Sequence, residues 1–412
     1  MAPQESRPRP LGSLALADSS SGGTPLGQAV ERPVRWLFLT RSLNCGGSQR
    51  QLVALVQSLA QRNAAVAVAT LYDGGPLHAE LQATATPLFS LNKQTRWDLI
   101  RCLARLVRLV RRMRPVVLHG YLSTANILAV LAKMAVPSVT VVWGIRASNM
   151  DLRRYGWLDR MLYRLESRLS RFCDLIIVNS ERGLDYAVAQ GFPAEKMLCI
   201  PNGIDTERFK PDVEAGLRFR RKLGIQDDVP LIGLVGRIDP MKGHGTFLAA
   251  AASLIAAGAR ARFVCVGDGD AQLKEQLRSQ ADRLGLAPLL SWLDEHDPIE
   301  AVYNGLDLPT SCSSYGEGFS NAVAEAMACG RPCVVTDVGD ARRIVGDTGI
   351  IVPPDRSDEL VAAWRDRLSL GRSERATLGD AARDRIVRRF GLDRLVEASF
   401  SALTLVGSLK SV

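Results

Sequence analysis

The stretch "VPLIGLVGRIDPMKGHGTFLAAAASLIAAG", residues 229–258, decides the architecture. Its "LIGLV" is a continuous apolar run, the pattern of a parallel strand covered on both faces. A loop rich in glycine and charge follows, then an alanine-rich helical pattern. Strand, loop and helix open a parallel α/β array. Here the opening comes past the middle of a 412-residue chain, so it begins a second array.

Downstream, "ARFVCVGDGD", "DLPTSC", "PCVVTD" and "GIIVPP" continue that array. Upstream, "VRWLFLT", "AVAVATLYDG", "PVVLHG", "SVTVVW", "CDLIIVNS" and "KMLCIPN" form an earlier one, with helical patterns between them. A chain of this length exceeds one ordinary core. The fold class is therefore α/β, with two doubly wound Rossmann-like domains facing each other across a cleft. Residues 1–32, rich in Pro, Ser and Gly, are expected to be a disordered tail. Residues 33–200 form the N-terminal domain, and turn-rich 201–212 a linker. Residues 213–389 form the C-terminal domain. A last helix, 390–412, is free to pack on either domain, and packing back on the N-terminal one is the expectation.

The composition is globular, with 47% hydrophobic and 23% charged residues. The net charge of +9 favours anionic partners. Nucleic acid is set aside, because no binding motif or aromatic platform is present. The run "LIRCLARLVRLVRRMRP", residues 99–115, makes a basic amphipathic helix. It is either an ordinary surface helix or a face for an anionic membrane. None of the eight cysteines forms a CxxC pair, which argues against a disulfide framework or a zinc site. No apolar run reaches the roughly 18–20 residues of a span. The expected location is cytoplasmic, including the inner face of a membrane.

In open parallel sheets, ligands sit beyond the carboxyl ends of the strands. Arg237 and Lys242 stand there, where two cations can converge on one anion. Alone they read as surface charges, and the order of a Walker loop is missing. In "YGEGFSNAVAEAMACGRP", residues 315–332, a loop carries Glu317 between glycines. A helix then runs from Phe319 to about Cys329, with Ser320 or Asn321 able to cap it. Free N–H groups at such a start attract anions. Glu325 lies inside that helix among Ala, Val and Met, and an unpaired buried carboxylate there would be very costly. Its partner is an internal arginine or the hydroxyls of a bound sugar. Gly46 and Gly47 follow the first strand and permit close backbone approach. The glycines of "VGDGD" lack the third member of a dinucleotide fingerprint.

Taken together, these segments resemble the retaining nucleotide-sugar glycosyltransferases of the GT-B fold, in particular glycosyltransferase family 4, the group 1 glycosyltransferases. Glu317 and Glu325 fit that family's E-x7-E pattern, and "GRIDPMKGH" fits its G-R-x-x-x-x-K-G pattern. "VNSE" and "PNGIDTERFKP" are similar to further family segments.

The resemblance implies a metal-independent, cofactor-free hexosyltransferase using a UDP- or GDP-sugar. The acceptor would be a glycan or lipid-linked group, in polysaccharide or glycolipid synthesis. Arg237, Lys242 and Glu317 would be catalytic: the cations on the diphosphate, Glu317 on the sugar. Gly46, Gly47, Phe319, Ser320, Asn321 and Glu325 would bind the donor, Glu325 through the ribose. His119 and Arg146 are further candidates for sugar or acceptor contact. This chain departs from the family at Tyr121, which replaces the second histidine of an H-x-H, and at Ser48 after the paired glycines. A nucleotide-sugar epimerase, or a binding protein without turnover, is the alternative reading.

Overall fold

A computed structural model describes residues 35–44, 46–84, 86–95, 98–146, 156–294 and 298–409. The tail assigned to residues 1–32 lies outside them, as does Cys45. The described residues form two compact units. One takes in those up to Pro201 and returns at the C-terminal stretch from Leu395; the other runs from Asn202 to Arg394.

The first unit is built on seven parallel strands: β1 (Arg35–Thr40), β2 (Ala65–Thr70), β3 (Leu88–Ser90), β4 (Val117–Tyr121), β5 (Thr140–Ile145), β6 (Leu175–Val178) and β7 (Met197–Cys199). Their order is β3-β2-β1-β4-β5-β6-β7. β1 and β4 are neighbours, with Phe38 in register with His119. Helices Leu99–Met113, Ser123–Ala135 and Trp157–Leu169 form a layer, the middle one touching both others. In the basic helix Leu99–Met113, Cys102, Leu106 and Val110 recur every fourth residue and are buried, so its apolar stripe belongs to the core.

The helix Leu392–Ser408 completes this unit. Phe400 meets Trp36 edge to face, with ring centroids 5.3 Å apart. Gly407 lies against Val116 and Val117, close enough that a Cβ would sit 2.9 Å from the former.

The second unit has six parallel strands: β8 (Leu231–Val235), β9 (Arg262–Val266), β10 (Leu290–Leu293), β11 (Leu308–Ser311), β12 (Val334–Thr336) and β13 (Ile350–Val352). Their order is β10-β9-β8-β11-β12-β13. Successive side chains of a strand point to opposite faces. Leu231 accordingly joins a core with Val302, Tyr303 and Met327. Ile232 and Leu234 join another, with Phe247, Phe263 and Trp364. Trp364 packs edge to face on Phe247 and donates its indole N–H to Thr310 at 3.0 Å. Each such fully buried side chain as Phe247 contributes roughly 1.5–3 kcal/mol. The short strands β3 and β10 are additions to the strands read from the sequence.

Candidate active site

In the second unit, strand order reverses between β8 and β11, and the candidate residues lie in the two loops that leave this switch point. After β8, Asp239 accepts from the Met241 amide at 3.0 Å and caps a short turn, Pro240–Lys242. Pro240 stands at its start, where a fixed φ is already suitable. The turn carries the Lys242 stem back over Gly236. Gly243 follows in the left-handed region, φ 68°, and starts the helix His244–Ala256. A Cβ on it would collide with the Cys312 carbonyl beyond β11.

The loop after β11 is tied to its neighbours through the backbone. Ser314 N–H donates to the Met241 carbonyl at 2.8 Å. Thr336 Oγ1 donates to the Ser313 carbonyl at 2.6 Å. Gly339, φ 56°, lies where a Cβ would strike the Glu317 and Gly318 carbonyls. Three loops are thereby held in contact, and two charges meet: Lys242 Nζ donates to Glu317 Oε2 at 2.6 Å. The Ser313 hydroxyl donates to the same oxygen at 3.1 Å. Both partners are largely withdrawn from water, 20% and 11% of each side chain being exposed. Beside them His244 is buried, and its pKa falls to about 4, through burial first and then the charge of Lys242, with Asp239 opposing.

Arg237 does not join this pair. It is exposed and donates to Asp239 at 2.8 Å. The helix after Glu317 is Asn321–Ala328, two residues shorter at its start than the sequence suggested. Ser320 occupies the N-cap, but its side chain makes no cap bond, so the hydroxyl does not cover the N–H groups there. Asn321 Oδ1 accepts from Asn202 at 2.8 Å. The Phe319 ring is buried against Phe390, which leaves only its backbone to face a ligand. Glu325 is buried, and its Oε2 accepts from the Tyr303 hydroxyl at 2.8 Å. This tyrosine is a partner that the sequence reading, with its internal arginine or sugar hydroxyls, did not offer.

The other candidates belong to the first unit, where the order reverses between β1 and β4. Gly46 caps the helix Gly47–Gln61. Its backbone is extended, and a Cβ there would meet only the flexible end of Gln49. No conformational demand therefore requires a glycine at Gly46. His119, 1% exposed, lies between Phe38 and Tyr121, at 5.3 and 4.7 Å between ring centroids. Neither ring nitrogen has a hydrogen-bond partner among the described residues. Burial, then the charge of Arg146, holds its pKa well below the usual value, so the imidazole is neutral. Arg146 donates to the Tyr121 hydroxyl at 2.8 Å and stacks on the same ring at 4.6 Å.

Behind these residues lies a buried pair that sequence reasoning missed. Asn126 donates to Glu166 at 3.0 Å and exchanges longer bonds with Gly144. Burial raises the Glu166 pKa, against hydrogen bonds from Ser123 and Asn126. In "WLDRMLYRLESRL" no local feature singles out this carboxylate, since Glu166 lies opposite the stripe of Trp157, Met161 and Leu165.

Two family models match this chain. One, described as glycosyltransferase family 4, covers residues 45–208. The other, glycosyl transferases group 1, covers residues 229–369. The chain belongs to the group 1 glycosyltransferases. This group 1 chain is 32% identical over 258 residues to D-inositol 3-phosphate glycosyltransferase of Nocardia farcinica (strain IFM 10152), covering 60% of this chain and 54% of that protein. It is 32% identical over 212 residues to the protein of the same name from Corynebacterium jeikeium (strain K411), covering 47% and 50%. The match spans about half the length of these curated relatives. Its fold is similar to that of Anabaena Alr3699/HepE, solved in complex with UDP and glucose, with TM-score 0.80 and 22% identity over 90% of this chain and 99% of that one. The fold is thus GT-B, made of two Rossmann-like units.

Proposed function

We propose that this chain transfers a sugar from a nucleotide-diphosphate donor to a glycan or lipid-linked acceptor, with retention at the anomeric carbon and with no metal ion. UDP- and GDP-sugars are the donors of choice. The observation that carries this reading is the Lys242–Glu317 pair at the switch point of the second unit, beside the start of the helix Asn321–Ala328. Breaking an anomeric C–O bond builds negative charge on the departing phosphate and positive charge on the sugar. Lys242 has three N–H donors, one of them directed to Glu317, and the others suit phosphate oxygens. Arg237 adds a second cation from the same loop, and the helix N–H groups a third attraction. Preorganised charges of this kind lower the barrier to the step.

In this reading Glu317 meets the sugar being transferred, and Glu325 meets the ribose through its remaining acceptor positions. Gly46 and Gly47 permit close backbone approach of donor phosphate or acceptor at the helix start in the first unit. His119, as a neutral imidazole, and Arg146 are sugar or acceptor contacts. The test is a thermal-shift panel of UDP-, GDP-, ADP- and dTDP-sugars, followed by turnover with the donor that stabilises. A ligand that binds only the folded state raises Tm. The anomer of the product, read by NMR, tests retention. No shift with any nucleotide sugar overturns the proposal. Binding without turnover across an acceptor panel reduces the chain to a binding protein, and epimerised donor makes it an epimerase.

A further inference from the structure

We infer that the helix Trp157–Leu169 docks this chain on an anionic membrane surface. Its outer face carries apolar side chains in water: Trp157 is 71% exposed, Met161 48% and Leu165 40%. Phe172, just past its end, is 52% exposed. Trp157, Met161 and Leu165 recur every fourth residue and so form one stripe. Arg160, Arg164 and Arg168 recur with the same spacing and form a second stripe beside it. All three are exposed, and none makes an ion pair among the described residues. The inner face differs: Tyr163 packs on Phe192, and Glu166 is buried against Asn126.

Charge identifies the occupant of this face. The helices Leu99–Met113, Ser123–Ala135 and Trp157–Leu169 carry eight arginines and one lysine against two carboxylates, Asp159 and Glu166. A second copy packed on the face by two-fold symmetry would set arginine against arginine. A layer of anionic headgroups pairs with the arginines, while Trp, Met and Leu side chains reach the acyl boundary. An indole is suited to that depth. The helix Leu99–Met113 supplies charge to the layer; its stripe of Cys102, Leu106 and Val110 is buried, while Leu99 and Ile100 at its start are exposed. The helix Trp157–Leu169 returns the chain from the carboxyl end of β5 to the amino end of β6. Its Glu166, in the later turns, reaches Asn126, which bonds Gly144, the register partner of Tyr121. No helix among the described residues is long and apolar enough to cross a membrane, so the contact is interfacial.

The inference does not depend on sugar transfer, and its test uses no donor. The full chain is sedimented with vesicles of phosphatidylcholine alone or with one third phosphatidylglycerol. Binding is expected only to the anionic vesicles. The triple variant Arg160→Ser, Arg164→Ser, Arg168→Ser should bind about a hundredfold more weakly, roughly fivefold per arginine. Trp157→Ser with Met161→Ser should weaken binding by roughly tenfold or more. Arg388→Ser with Arg389→Ser, in the second unit, should leave it unchanged. All these sites are exposed, and an unaltered melting curve confirms folding. Equal binding to both vesicle types, absence of binding, or binding that survives both stripe variants overturns the inference. So does a dimer, seen by sedimentation velocity, that Met161→Ser dissociates.

Discussion

Lys242 and Glu317 leave different strands and meet at 2.6 Å, with a serine hydroxyl on the same carboxylate oxygen. Their backbones are fixed by glycines rather than by the pair itself. Function and stability should therefore separate here. Lys242→Ala and Glu317→Ala should each lower kcat by about 10²–10³-fold, the range for removing one preorganised charge contact. The change in Tm should be small. A large fall in Tm with full activity per folded molecule would make the pair structural.

Gly243 and Gly46 make a contrasting pair. Gly243→Ala forces a Cβ into the Cys312 carbonyl at φ 68° and should destabilise by more than the roughly 1–2 kcal/mol of left-handed backbone alone. Activity should fall with it, because the Lys242 turn loses its seat. Gly46→Ala should leave Tm unchanged. Lost donor or acceptor affinity in that variant would then report a ligand at the helix start. Urea unfolding and ligand titration together read both outcomes.

Tyr303→Phe removes the phenol that donates to Glu325 at 2.8 Å and keeps the ring in its core. Leaving this buried acceptor without its donor is expected to lower the unfolding free energy by about 1–3 kcal/mol. If Glu325 also holds ribose, the variant should raise KM for the donor while kcat changes little. An unchanged KM would confine Glu325 to the core.

Glu166 titrates against the fold. Its folded pKa is raised by burial, so the folded protein binds this proton more tightly than the unfolded chain. Stability then falls as pH rises from the ordinary carboxyl range through the raised value, and the penalty is constant above it. Glu166→Gln removes that slope. In urea midpoints measured from pH 4 to 8, the variant should gain on the parent protein as pH rises. Parallel curves would contradict a buried carboxylate at this position.

His119 acts in the opposite direction. Its folded pKa is depressed, so stability is lost as pH falls below the unfolded value near 6.5. His119→Phe should flatten that acid limb. The same depression keeps the ring neutral near pH 7, so the rate profile should show no limb from His119 between pH 6 and 8. A limb near 6.5 that disappears in the variant would show an exposed, protonating ring.

Most strands of both sheets were legible because parallel strands are apolar along their whole length, as in "LIGLV" and "VVLHG". The edge strands "LFS" and "LSWL" interrupt their apolar run with serine and hold no Val or Ile, unlike the equally short "VVT" and "IIV". In the candidate site, Lys242 and Glu317 were legible as residues that follow strands. Their contact was not, since it depends on two glycines seating neighbouring loops. Glu325 was correctly read as a buried carboxylate needing a partner. Tyr303 escaped because its helix, Ile299–Gly305, is only 7 residues long and gives no reason to single out one ring. Asn126 and Glu166 are 40 residues apart, and no local rule pairs them.

The Trp36–Phe400 contact has a consequence for biosynthesis. Among the described residues, the N-terminal strand β1 is covered by the C-terminal helix Leu392–Ser408. While the second unit emerges from the ribosome, the bed of that helix stays uncovered, and Trp36 with it. Nascent chains halted before Leu392 should thus recruit chaperones through the N-terminal unit, although its sheet is already fully synthesised.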